Sequence, residues 1–562
     1  MRLCLAAVAL VAAHLAGASS ASAAGVARIP DAQAREYLRL AKTADLMADP
    51  LERCLAFPAL PGAAWPAGLA ERHCRNEFGP RLTASELGEM LRSKAASSLD
   101  QRFAQDLARH AAHGPGSEAI HHDFEIFDGS QASDEMSQAW LALAPESAFA
   151  LVGRASHLRR AIDRLRAGRF ADQVTQAEFT AMSAMAGQSL ELYQRALERE
   201  PLLVEAYVGI INVARLDGRG RDHADAVKQG RKLDPACHAM AAQVMTSLSP
   251  QWGGSRAAME ALATELEDRL GAEPLLALVI GRPRWYAAAL AMQEQRYVDI
   301  PSLVEPVVSR STEPFALQLL AGARQRDAQD ASLDAVVYAV AASRFAPRDA
   351  DLTAMRGALL LSRLDDAAWA VPPLEQLVAA EPENGIAQQY LATAYARVGR
   401  TEDAVAHFTR AMAIPASRDF ALRGLTRVMA SVEGEVPRSE WIAPEAAIRE
   451  ASRLAPLGVP GAFIVTVVAS GAQGGTIFLN SHPNYRDPGN LTVALQPDAV
   501  AGLTQRMGAD PRSALAAKTV LVLGVVRRVP IYLTAPDAAA TPAYYQTHVE
   551  VIDAAQLRIV AP

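Results

Sequence analysis

The chain has 562 residues, with 55 Lys and Arg against 62 Asp and Glu and a formal net charge of −7. That length exceeds what one hydrophobic core fills, so several domains are expected. Half of the residues are hydrophobic, which excludes a disordered chain, and the acidic balance excludes an overall basic field that would draw nucleic acid or anionic lipid.

In chain order, the first segment is MRLCLAAVALVAAHLAGASSASAA, with Arg2 at its start, an apolar run, and Ala21-Ser22-Ala23 near its end. This is the layout of a secretory signal peptide over 1–24. His14 and the Gly/Ser-rich end leave the apolar run too short to span a bilayer. No later run has spanning length, so a bacterial periplasmic or secreted protein is expected.

A helical N-terminal region follows over 25–124. Cys54 and Cys74 bracket a Pro-rich connection, and bridging a loop of about 20 residues stabilises by roughly 3 kcal/mol in the chain-entropy view. A disulfide between them is the expectation, with Cys237 left over as a buried small apolar residue. No C-x-x-C occurs, so redox chemistry has no support. The segment RHAAHGPGSEAIHHDFEIF carries His110, His113, His121, His122, Asp123 and Glu125. Histidines at this density could ligate zinc, but Gly-Pro-Gly separates them and no H-E-x-x-H is present. The segment reads as a solvated loop, with no metal or cofactor assigned.

From about 33 to 450 apolar residues recur at helical spacing. Pro201 and Pro235 lie 34 residues apart and close ALEREP and RKLDP; between them stand a helix, a turn with two glycines and a second helix. The clearest copy is NGIAQQYLATAYARVGRTEDAVAHFTRAMAIP, where Leu391, Ala392, Tyr395, Ala404, Phe408 and Ala411 are spaced for two helices to interlock. This unit resembles a tetratricopeptide repeat. The resemblance implies stacked helix pairs and a surface that takes a protein partner.

The stretch SPQWGGSRAAMEAL, together with the repeat at 201–235, resembles a bacterial helical family marked by a Trp-Gly-Gly-Ser element, a resemblance that implies no activity. Its residues Trp252, Gly253, Gly254 and Ser255 read as a structural corner. Gly253-Gly254 can take positive φ, Ser255 caps a helix starting near Arg256, and Trp252 fills the wedge between helix pairs. An anion site here would need the Lys of a phosphate loop, which is missing. The helical part divides into 125–310, holding this corner, and 311–450, holding the further repeats.

Near 455 the texture changes to alternation. AFIVTVVAS, GTIFLNS, NLTVALQ, TVLVLGVVRRVPIYL, YYQTHVEVID and QLRIV read as strands, with a helix in PDAVAGLTQRMGAD after the third. The order resembles an OB-fold barrel over 458–562, with Gly524 at a bend. From 457 onward there are seven Lys/Arg and six Asp/Glu, a balance that gives no cationic groove for single strands. A candidate ligand surface is Asn480, His482, Tyr485, Arg486 and Asn490 in one loop, with Arg527, Arg528, Tyr544, Tyr545 and His548 on later strands. The alternative for that loop is Asx turns and an Arg486 to Asp487 pair.

The sequence thus predicts a mostly α protein, a repeat solenoid followed by a small OB-like barrel. Its leading functional reading is a non-enzymatic exported scaffold that binds a protein partner through the helical surface. The alternative is an OB-like domain that binds an oligosaccharide or single-stranded nucleic acid, and the third is a metal-dependent enzyme built on the histidines at 110–122. No G-x-S-x-G or paired-carboxylate arrangement supports catalysis.

Overall fold

The computed structural model describes residues 28–113, 117–169, 173–327, 332–431, 436–532 and 542–560. The signal peptide read over 1–24 lies outside them. The chain divides into two compact units, Met1–Pro347 and Arg348–Pro562.

The first unit is helical. Its middle is built from antiparallel pairs, Ala148–Arg166 with Gln176–Arg199 and Val204–Leu216 with Gly220–Leu233. The repeat read at 201–235 is therefore a helix pair, with Gly218 at φ +70° in its turn. Close packing follows from small residues: a Cβ on Gly209 would stand 2.2 Å from the buried Tyr193 ring. The pairs then continue through His238–Ser247 and Arg256–Glu267 to Pro314–Arg326 and Asp334–Phe345.

Every residue of the helix Asp334–Phe345 is buried. Part of what covers it comes from the start of the chain, through helices Asp31–Asp45, Pro50–Ala56 and Leu69–Phe78. The His73 ring stacks on Phe345 at 4.4 Å, Arg344 Nε donates to the Cys54 carbonyl at 2.8 Å, and Trp65 Nε1 donates to the Val308 carbonyl at 2.9 Å. Cys54 and Cys74 are joined, with Cα atoms 5.7 Å apart, and pack on Phe345. The Pro-rich connection is thereby held by hydrogen bonds to residues 243 to 290 positions away, a long-range contact that helical periodicity does not encode.

The second unit begins with helices Ala350–Leu359, Ala367–Ala380, Gly385–Arg397, Thr401–Ala413 and Arg418–Ala430. In the pair at 385–413 all six interlocking residues, Leu391, Ala392, Tyr395, Ala404, Phe408 and Ala411, are buried. Asn384 caps the first helix by accepting from Ala387 N–H at 3.0 Å, and Gly399 turns the chain at φ +81°.

After these helices come β1 (Trp441–Ile442), a helix Pro444–Arg453, β2 (Val459–Thr466), β3 (Ala469–Gln473), β4 (Thr476–Asn480), β5 (Leu491–Leu495), a helix Pro497–Met507, β6 (Thr519–Ile531), β7 (Tyr544–Val551) and β8 (Leu557–Ile559). They form one sheet in the order β1-β2-β6-β7-β5-β4-β3, with β8 on β6. β5 and β7 are parallel; the β2–β6, β6–β7, β4–β5 and β3–β4 ladders are antiparallel. Among the described residues the hydrogen-bonded path is not closed into a ring, which departs from the expected barrel. The strand read as AFIVTVVAS is two strands, because Val467 N–H bonds Lys518 and the next residue, Val468, bonds Asn480 instead. Ala447, Ala451, Ala499 and Leu503 of the two helices join the strands in one core.

Candidate functional site

The Trp-Gly-Gly-Ser stretch is a tight corner between helices His238–Ser247 and Arg256–Glu267. Gly253 takes φ +83°, while Gly254 is required for another reason: a Cβ there would meet the Leu248 carbonyl oxygen at 2.1 Å. Ser255 Oγ accepts from Ala258 N–H at 3.1 Å and caps the helix at Arg256. Trp252 does not fill a buried wedge. It is half-exposed, with the Arg166 and Arg215 guanidiniums 5.2 Å and 5.1 Å from its ring, within cation–π range.

The residues chosen on the β domain separate into three groups. Asn480 and Asn490 are buried and hold the loop together: Asn490 Nδ2 donates to Asn480 Oδ1 at 3.0 Å and to Thr492 Oγ1 at 2.9 Å, while His482 N–H donates to Asn490 Oδ1 at 3.1 Å. Tyr485, Arg486, Tyr544, His548 and Arg527 form the second group. Residues 544, 546 and 548 alternate onto one face of β7, and Arg527 stands opposite His548. The Arg486 guanidinium lies 5.3 Å from the Tyr485 ring and 5.9 Å from that of Tyr544, and Gln546 Nε2 donates to the Tyr485 carbonyl at 3.1 Å. Arg486 thus sits between aromatic rings. Asp487 accepts instead from Gly489 N–H at 2.8 Å.

Arg528 and Tyr545 make the third group, on the opposite face, with the guanidinium 4.0 Å from the ring. Burial, followed by the nearby Arg527 charge, pushes the His548 imidazole down to about 4, so it is neutral near pH 7. Phe478, 6.2 Å from His548, and Gln546 complete the second face; neither stood out in the sequence.

The histidine-rich segment is not a solvated loop. His110, His121 and Asp123 are all buried, because the segment folds under the helix pair at 204–233. Asp123 accepts from Leu82 N–H at 2.8 Å and from Arg102 Nε at 2.8 Å. His122 turns away to Asn76 Oδ1 at 2.8 Å and Glu125 at 3.4 Å, and the exposed His113 reaches Asp234 only at 3.9 Å.

Near the end of helix Ala96–Ala111, His110 meets His121 of the short helix Ala119–Asp123, their rings perpendicular at 5.2 Å. Cys237 joins them, its Sγ 3.8 Å from His121 Nε2. It is the N-cap of His238–Ser247, where its sulfur accepts from Met240 N–H at 3.5 Å. Asp234, three residues before it, places Oδ2 3.0 Å from His110 Nε2. Glu205, in the first turn of Val204–Leu216, holds His121 Nδ1. Among the described residues His110, His121 and Cys237 are the one group of three whose metal-ligating atoms converge, all within 4.8 Å of one another.

Burial alone would lower the His110 imidazole, but the Asp234 carboxylate and the Cys237 sulfur beside it outweigh burial and raise it to about 10. His121, also opposed by burial, is raised well above the usual histidine range by Cys237 and Glu205. Two imidazoles and the carboxylates of Asp234 and Glu205 thus face one another in this interior. The sequence reading of Cys237 as a plain apolar residue missed these partners. Its histidine neighbours come from positions 116 and 127 residues away, and the local signals are only the Asp-Pro-Ala-Cys turn and an acid, Glu205, inside the apolar run LLVEAYV.

Among known proteins, the family described as bacterial transcriptional activator domain matches residues 316–418. No curated protein matches the chain. Solved structures with similarity include the APC/C hetero-tetramer Cut9-Hcn1, 13% identical over 70% of this chain and 82% of that one, with a TM-score of 0.26. Yeast Tom70 is 12% identical over 71% and 94%, at 0.30; the human IFIT1 dimer with PPP-AAAA is 12% identical over 64% and 84%, at 0.24. At these identities and scores the helix-pair architecture rests on the chain's own geometry.

Proposed function

We propose that the chain is a non-enzymatic, exported scaffold that binds a protein partner through its helical-repeat surface, with the C-terminal β domain as a second contact. The observation that carries this reading is the succession of antiparallel helix pairs, whose apolar faces are used up between neighbours and whose outer faces are left to a partner. The match of 316–418 to a bacterial transcriptional activator domain supports a regulatory or interaction role over a catalytic one. A groove of about 610 Å³ is lined by Lys228, Arg231, Lys232, Arg269 and one acid, Glu265, which pairs with Arg231 and Arg269; Lys228 and Lys232 are left to suit an acidic partner segment.

Export is supported by the sequence of 1–24 and by the Cys54–Cys74 bond, which persists in oxidising compartments. Among the described residues no helix is long and apolar enough to cross a membrane. The division into 25–124, 125–310, 311–450 and 458–562 belongs to the same reading. An OB-like assignment for the last segment is supported by its connectivity. β2 and β3 follow one another with only Val467 and Val468 between them, β2 pairs β6, and β7 runs parallel to β5, with a helix between β5 and β6.

The test is a photo-crosslinking residue at Lys228, at Val398 or at Tyr485 in the full chain, in its native cell. A discrete protein adduct from Lys228 or Val398, reproduced with the purified partner and weakened by Lys228→Glu with Lys232→Glu, is the expected result. Arg486 lying between Tyr485 and Tyr544 favours the second reading, an oligosaccharide or single-stranded nucleic acid stacked on the β domain. Adducts of that chemistry at Tyr485, with none from the helices, would replace the scaffold reading.

A further inference from the structure

We propose that His110, His121, Cys237 and Asp234 bind one zinc ion, which staples the Asp-Pro-Ala-Cys turn to the two histidine-bearing helices of the first unit. This goes beyond the scaffold reading and does not depend on it. The donor types come first. A thiolate with two imidazoles and a carboxylate is a zinc set, whereas magnesium and calcium take oxygen ligands.

The orientation of the two rings is the second observation. Each histidine has its Nδ1 engaged, that of His121 by Glu205 and that of His110 by the Ser117 carbonyl at 2.9 Å. Each Nε2 therefore faces the cluster. A metal-bound histidine is held in this way, its other nitrogen fixed by a carboxylate or a carbonyl.

Third, two of the four inward atoms lack hydrogen bonds, while His121 Nε2 and Cys237 Sγ meet each other. His110 Nε2 and Asp234 Oδ2 are buried and, although 3.0 Å apart, are not aligned to bond one another. Asp234 Oδ1 is used by Ala236 N–H at 2.9 Å, which leaves Oδ2 free to point inward. An unpaired acceptor of this kind is costly in an interior, and a cation satisfies it.

Two of the separations agree as well, and Asp234, outside the group of three whose ligand atoms converge, completes the set by side-chain adjustment. Tetrahedral zinc with its usual bond lengths places N and O ligands about 3.3 Å apart and N and S ligands about 3.6 Å apart. The cluster has 3.0 Å for His110 Nε2 to Asp234 Oδ2 and 3.8 Å for His121 Nε2 to Cys237 Sγ. Its widest separation among the three soft ligands, within 4.8 Å, closes by side-chain adjustment.

Charge balances without an external anion. A doubly positive ion, one thiolate, one carboxylate and two neutral imidazoles sum to zero. Binding releases the Cys237 proton and those of the imidazoles to solvent. All four ligands are 9% exposed or less, with no open position, so the site is structural rather than catalytic. Glu118, 4.0 Å from His121 Nε2, borders the site without being needed as a ligand.

The test uses untagged full-length protein, equilibrated with zinc and freed of excess. One zinc per chain is expected, and X-ray absorption should find one sulfur and three nitrogen or oxygen neighbours. Cobalt exchanged into the site should give the bands of a tetrahedral ion and a thiolate charge-transfer band, the latter lost in Cys237→Ser. Glu205→Gln should weaken zinc about 10–100-fold in a chelator competition while retaining the thiolate band, as befits a positioning residue. Sub-stoichiometric zinc, a shell without sulfur, or a cobalt spectrum unchanged in Cys237→Ser would overturn the proposal. The X-ray absorption arm needs no variant, so a Cys237→Ser protein that fails to fold leaves the question answerable.

Discussion

Two helix pairs with turns of the same length, one in each unit, differ in the polar groups they bury. The pair Gly385–Arg397 and Thr401–Ala413 is closed by Leu391, Ala392, Tyr395, Ala404, Phe408 and Ala411, all buried. The pair Val204–Leu216 and Gly220–Leu233 buries Val204, Ala206, Val208, Ile210 and Ile211, yet carries Glu205 and Asp234 into the same interior, where they meet His110 and His121. The first pair also buries Gln388 and Gln389, but as neutral amides, with Gln388 bonded to His407 at 2.6 Å. The second instead buries ionisable acids against histidines, which costs more than apolar packing and is what the proposed zinc would offset.

The largest expected effect breaks the dry pair. Phe408→Ala leaves a cavity against Gly424, whose Cβ position lies 2.3 Å from the ring, and should cost about 3–5 kcal/mol in denaturant unfolding. Its zinc content should not change. A loss of under about 1 kcal/mol would mean that this interlock is not what closes the pair.

Next comes the corner that follows the polar pair. Trp252→Ala removes a half-exposed ring held between two guanidiniums, so a loss of about 1–2 kcal/mol is expected, each cation–π contact contributing roughly 0.5–1 kcal/mol. Ser255→Ala should cost about 1 kcal/mol as a lost cap. Gly254→Ala should exceed both, since its new methyl would meet the Leu248 carbonyl. Thermal melts of the three variants rank them, and an order with Trp252→Ala first would restore a buried wedge.

A smaller effect sharpens the contrast from the β domain, where the partly buried His548 sits without a carboxylate of the kind that raises His110. Its folded value near 4 lies below the unfolded value of about 6.5. The unfolded chain therefore binds the proton more readily, and the stability contributed is full above about pH 6.5 and is lost as pH falls towards 4. The difference in stability between wild type and His548→Gln should vary across that window and be flat above it. A flat difference throughout would show that His548 titrates normally.

Much of this organisation is legible in the sequence. The period of 34 residues, the turn glycines and the small residues at 385–413 pointed to the helix pairs, and alternation after 455 located β2 and β4 to β8 but neither the two-residue β1 nor β3 as a strand of its own. What could not be read was tertiary. Nothing local in LAFPALPGAAWPAGLAERH says that it docks on a helix near residue 340, and nothing in RHAAHGPGSEAIHH says that Cys237 and Asp234 close over it. Both depend on contacts between segments more than a hundred residues apart. The hydrophobic residues that set helical periodicity are the same whether a polar group beside them faces water or a ligand. The bend at Val467–Val468 escaped for a related reason, because a strand that changes partners keeps one continuous apolar pattern.

The contrast between the two interiors is tested most directly by hydrogen exchange on the full chain with zinc and after chelation. Chelation should lower amide protection in Ala96–Ala111, Ala119–Asp123 and His238–Ser247, whose ends carry the ligands, and leave Gly385–Arg397 and Thr401–Ala413 unchanged. Identical protection in the two states, or an equal loss in both pairs, would contradict the account.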